Sequence, residues 1–110
     1  MALVWPLLDG QVGQEIIAAA GSADGVALRP EQIFQYAIRV RASGVILSHN
    51  HLLDAGPSAA DHAMTRRLVA AGHLLGIPLR ASLVVEPSGT HDLITERWWP
   101  NPGGRYPVSA

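Results

Sequence analysis

The sequence contains no cysteine among its 110 residues, which removes disulfides and thiolate metal ligands from consideration. No apolar run is long enough to span a bilayer, and Met1 to Gly10 lacks the basic start of a secretory signal. A cytoplasmic protein without membrane association is therefore expected. Charge is scarce and nearly balanced, at a formal net of -1. The basic residues are arginines scattered at Arg29, Arg39, Arg41, Arg66, Arg67, Arg80, Arg97 and Arg105. That leaves little of the basic footprint that phosphate contacts need, so nucleic acid is not an expected partner. Arg66-Arg67 reads as the solvated face of a helix. Internal repeats, a phosphate-binding glycine loop and a serine-histidine-aspartate arrangement are also missing.

What is present is a chain that is 48% hydrophobic, enough at this length to bury one core but hardly two. The order of patterns predicts a strand over Leu3 to Leu8, a turn at Asp9-Gly10, and strands over Glu15 to Ala20 and Gly25 to Leu28. A helix from Pro30 to about Arg41 follows, with Pro30 suited to its first turn and Ile33, Phe34, Ala37 and Ile38 as an inward stripe. Then come a strand over Gly44 to Leu47, a loop, and a helix from Ser58 to Leu75. Two strands close the pattern, Leu79 to Val85 and Asp92 to Thr95, joined by the turn signal Glu86-Pro87-Ser88-Gly89. Pro6 inside the first strand points to an edge or a bulge. Mixed order of this kind implies an α/β fold, with helices packed against a curved mixed sheet. From Trp98 onward the proline- and glycine-rich run reads as an extended tail over 98–110, behind a domain over 1–97. Trp98 and Trp99 are expected to cover the sheet edge or to contact a partner subunit, which leaves a homo-oligomer open.

The stretch Ser48 to Asp61, SHNHLLDAGPSAAD, carries the chemistry. His49 and His51 follow the apolar run Val45-Ile46-Leu47, so on a strand both imidazoles leave by the same face. Asp61 falls in the first turn of the next helix, whose apolar residues Met64, Leu68, Ala71 and Leu75 recur at helical intervals. Two imidazoles and a carboxylate form a set that zinc accepts, and three protein ligands leave a fourth position open. The same residues also have a plainer reading. Ser58-Ala59-Ala60-Asp61 is a helix-capping pattern in its own right, and a His-x-His pair at a strand end often consists of ordinary polar residues at a loop entrance.

His-x-His, a short loop and then Ser-x-x-Asp resembles the JAMM (MPN-type) metalloprotease motif, and SHNH is similar to the RadC branch of that family. Arg29-Pro30-Glu31-Gln32-Ile33-Phe34 ahead of the motif follows the RadC order. So do Thr65-Arg66-Arg67-Leu68, Leu74-Leu75-Gly76-Ile77, Leu79 and Val84-Val85 behind it. The resemblance runs from about Leu3 to Glu96. It implies a JAMM/MPN-like, cytidine-deaminase-like architecture and a zinc site of His49, His51 and Asp61. It also implies hydrolysis of peptide or isopeptide bonds in a peptide or protein substrate, with Ser58 helping to hold the developing oxyanion. RadC proteins carry a DNA-repair name, but the charge distribution gives it no support here.

The sequence departs from that pattern in four places. Leu52 stands where the family usually has proline, and six residues instead of seven separate His51 from Ser58. Ala81-Ser82 replaces an aspartate-histidine pair. The family's catalytic glutamate, which moves a proton from water to the leaving amine, aligns at about Met1. Glu15 is the nearest substitute, with an exposed strand-end carboxylate as its plainer reading. Asp54 could approach a metal but reads as a loop residue. Three functions of different class follow in order: a zinc-dependent hydrolase, a non-catalytic JAMM-like interaction module with or without metal, and a metal-dependent nuclease. The last is suggested only by the letters His49-Asn50-His51, because the HNH nuclease motif spreads its three residues along a ββα unit.

Overall fold

The computed structural model describes residues 2–19 and 29–101. Within them the order is β1 (Ala2–Leu8), β2 (Gln11–Val12), β3 (Ile16–Ala19), α1 (Pro30–Arg39), β4 (Gly44–Asn50), α2 (Ala59–Leu75), β5 (Leu79–Val85), β6 (Gly89–Asp92) and β7 (Arg97–Pro100). The seven strands form one mixed sheet in the order β2-β1-β4-β5-β6-β7, with β3 beside β1. Only β4 and β5 run parallel, joined through α2, as a parallel pair requires of its crossover. The expected α/β architecture of helices on a curved mixed sheet is what forms.

One face of the sheet supplies the core. Ala2 and Val4 of β1, Val45 and Leu47 of β4 and Leu79 of β5 meet Ile33, Phe34 and Ala37 of α1 and Met64 and Leu68 of α2 in a single apolar cluster. The predicted stripe on α1 is correct except for Ile38, which is exposed. Gly72 lets α2 lie close to the chain that follows it: a Cβ there would sit 2.5 Å from the Ile77 carbonyl oxygen. Gly76 ends the helix in the left-handed region at φ 72°, the conformation glycine adopts without steric cost.

Asp9-Gly10 forms a two-residue hairpin turn, with φ values of 51° and 80° and Leu8 opposite Gln11. This is the behaviour expected of an Asp-Gly pair. Pro6 lies inside the sheet, paired with Val45 of β4. Its carbonyl accepts from the Gly13 N–H at 2.7 Å, so its missing N–H falls on the same side, where pairing passes from β3 to β2. The edge expectation thus holds for one side of β1 at one residue.

Other boundaries differ for physical reasons. β4 runs on to Asn50 because β1 and β5 pair with it on both sides, Ala2 and Val84 each facing His49. β6 comes earlier than expected, at Gly89–Asp92, because the Asp92 carboxylate accepts from the Ile94 N–H at 3.0 Å and the Thr95 hydroxyl at 3.1 Å. That bends the chain into a turn. The tail reading began too soon, since Trp98 and Trp99 belong to β7 and pair with His91 and Thr90 of β6. Both tryptophans remain exposed, at 49% and 39%. The strand expected over Gly25 to Leu28 lies outside the described residues. Among the described residues no helix is long and apolar enough to cross a membrane.

Candidate metal centre

Strand alternation turns Val45, Leu47 and His49 to the helix-covered face, and His51 continues that register just past the strand end, where its N–H donates to the Val85 carbonyl at 2.9 Å. The first turn of α2 returns to the same point. Ser58 caps that helix: its Oγ accepts from the Asp61 N–H at 3.0 Å, and its own N–H donates to Asp61 Oδ2 at 2.8 Å. This reciprocal capping box fixes the Asp61 rotamer and leaves Oδ1 aimed at the strand, 3.0 Å from His49 Nε2. Capping and ligand placement are therefore one arrangement seen from two sides.

His51 Nε2 lies 3.4 Å from Asp61 Oδ2, and the two rings meet edge-on with centroids 5.3 Å apart. One donor atom from each of His49, His51 and Asp61 fits within 4.8 Å of the other two. Two imidazole nitrogens and a carboxylate oxygen this close can share a small divalent cation.

Burial pushes the His49 pKa down from its ordinary value, against the opposing pull of the Asp61 carboxylate. Burial also works against ionisation of Asp61, but the Ser58 N–H and the two neighbouring imidazoles outweigh it and leave that pKa lowered. Both shifts favour the forms that bind metals, neutral imidazole and carboxylate. Buried His49 Nδ1 has no hydrogen-bond partner among the described residues.

The six-residue loop between His51 and Ser58 turns at Gly56, whose φ is 75°. Leu52 and Leu53 stand exposed at its start. Asp54 points away from the histidines, its Oδ1 taking the N–H and hydroxyl of Ser88 at 3.0 and 2.8 Å. Ser82, at the position of the family's histidine, is fully buried against the Thr65 hydroxyl at 2.8 Å. Glu15 is exposed. It precedes the Ile16–Val4 pair and so lies beside the middle of β1, whereas His49 faces Ala2 at the start of that strand. That sets Glu15 about 10 Å back along the strand direction and two strands over, so it does not reach the histidines.

One residue that sequence reasoning passed over belongs here. Glu86, assigned to a turn signal, is buried with its carboxylate 2.9 Å from His51 Nδ1, 2.8 Å from the Gly56 N–H and 3.2 Å from His91 Nε2. A faint signal existed, since residues 82, 84 and 86 alternate to the inner face beyond the irregularity early in β5.

A family model described as the RadC-like JAB domain matches residues 8–97. The chain is similar to proteins that carry the name UPF0758 protein, which states no activity. One from Trichlorobacter lovleyi is 37% identical over 82 residues, covering 72% of this chain and 36% of that protein. Another from Thermotoga maritima is 41% identical over 70 residues, 63% and 32% of the two chains. A third from Symbiobacterium thermophilum is 43% identical over 70 residues, 63% and 30%. The chain spans about a third of the length of these relatives.

Proposed function

Because this chain belongs to the RadC-like JAB domain family, we propose that it is a zinc-dependent metallohydrolase of peptide or isopeptide bonds. The observation that carries this reading is the convergence of His49, His51 and Asp61 donor atoms within 4.8 Å. Zinc held there would supply a Lewis acid and acidify water at neutral pH. Asp61 would bind through a carboxylate whose rotamer the Ser58 cap has already set. Among the described residues the Ser58 hydroxyl accepts the Asp61 N–H and donates to none, so its own proton would be available to a substrate oxyanion beside the metal. Leu52 and Leu53, which directly follow His51 in the chain, are exposed.

The alternative is a non-catalytic domain of the same fold that binds another protein, with or without zinc. A specific observation supports it. Among the described residues, the carboxylates near the histidines are Asp61, which would be a ligand, and Glu86, which lies behind His51. Neither is placed as a general base. The deciding experiment pairs metal analysis of the purified protein with a hydrolysis assay on peptide- and isopeptide-linked substrates. Zinc with turnover supports the hydrolase, zinc without turnover the binding module, and no zinc defeats the metal reading.

A further inference from the structure

We propose that Glu86 is a positioning residue for His51, holding its imidazole in the tautomer and orientation that turn Nε2 towards Asp61. The inference rests on the metal-site reading above, but it makes a claim that can be read without any metal. Glu86 Oε2 accepts the Gly56 N–H at 2.8 Å, and a backbone amide can only donate. The same oxygen lies 2.9 Å from His51 Nδ1, and because an ionised carboxylate only accepts, Nδ1 carries the proton and the lone pair of a neutral ring sits on Nε2. That nitrogen is the one on the Asp61 side, 3.4 Å from Oδ2. His49 offers the contrast, its Nδ1 buried without a partner among the described residues.

Histidines that bind metals commonly donate their second N–H to a carboxylate, which fixes the ring and raises its basicity. Glu86 occupies that position opposite the candidate site. Its side chain is only 4% exposed, and a carboxylate so buried persists where several donors satisfy it. Here they come from the strand end (His51), the shortened loop (Gly56) and β6 (His91). The residue thus ties the loop to the ends of the central strands while orienting one imidazole.

The test reads the His51 tautomer in the metal-free protein at pH 8 by long-range proton-nitrogen correlation NMR, and zinc affinity by competition with a chromophoric chelator. His51 should be protonated at Nδ1 in the wild type. Glu86→Ala should release it towards the Nε2-protonated form and weaken zinc binding by about 10- to 100-fold. Glu86→Gln, whose amide oxygen can accept the same two bonds, should recover most of both. A folded Glu86→Ala protein that keeps the Nδ1 tautomer and binds zinc within twofold of wild type overturns the assignment and leaves Glu86 a loop staple. If Glu86→Ala does not fold, the wild-type spectrum decides: a proton on Nε2 overturns the proposal. Absence of zinc binding in the wild type would defeat the metal reading, while the tautomer would still settle what Glu86 does to His51.

Discussion

Asp61 sets one carboxylate oxygen 3.0 Å from His49 Nε2 while its other oxygen accepts the Ser58 N–H that closes the first turn of α2. A single side chain thus locks the helix N-terminus to the end of β4. Removing either partner should loosen both the metal site and the strand-helix junction.

Purified protein should carry about one zinc per chain, and His49→Ala, His51→Ala and Asp61→Ala should each abolish it, because two protein ligands are too few to hold the ion. Elemental analysis of the three variants checks this. Unchanged zinc in Asp61→Ala would reduce Asp61 to a helix cap. The same variant should lose stability even in the metal-free state, since the capping box is cut.

Ser58→Ala separates the two roles of the cap. Zinc should stay bound, because Asp61 keeps its own contact with the Ser58 backbone N–H. Loss of the hydroxyl should cost about 1 kcal/mol, seen as a fall in melting temperature of roughly 4–8 °C. Zinc loss in this variant would mean that the hydroxyl, and not the backbone, fixes the carboxylate.

Acid should destabilise the metal-free protein in a defined window. The folded-state pKa of His49 lies below the 6.5 of an unfolded histidine, so between the two values the unfolded chain binds the extra proton and stability rises with pH. The contribution of a neutral, buried His49 is therefore complete above about pH 6.5 and is lost as pH falls through the folded value. Asp61, also lowered, adds a contribution that is present above about 3.8 and lost at still lower pH. Urea midpoints from pH 8 to pH 4 should be flat and then fall, and His49→Gln should flatten the first part of that fall. An unchanged slope in the variant would place the titration elsewhere.

Much of this was legible in the sequence because the decisive contacts are local or periodic. Asp9-Gly10 marked its hairpin, Pro30 its helix start, and Ser58 with Asp61 the next one. Alternation from Val45 put both histidines on one face. The end of β4 was harder, since Ser48-His49-Asn50 resembles a loop until β1 and β5 pair with it. β7 was hidden by the prolines in and after it, and among the described strands it pairs with β6 alone. Glu86 was missed because it meets His51 across 35 residues of sequence, and no period or cap links them.

Catalysis is where the site is least complete. Even loaded with zinc, this chain should hydrolyse peptide or isopeptide substrates slowly, by about 10²- to 10⁴-fold relative to a site with a proton-transferring group. Ala2 faces His49, so the N-terminal end of β1 lies at the metal end of the sheet. A form carrying a glutamate immediately ahead of Ala2 should therefore gain turnover without a change in zinc content, and in that form Ser58→Ala should slow turnover while the metal stays bound. Glu15→Gln should change neither, given its exposed place beside the middle of β1, two strands from β4. If this chain is already fast and Glu15→Gln abolishes that activity with zinc retained, then Glu15 is the base and β1 and β3 pair in a different register. If neither form turns over while zinc stays bound, the six-residue loop becomes the next suspect. Inserting one residue between Leu52 and Pro57 should then restore activity if loop length is the fault, and leave a binding module if it is not.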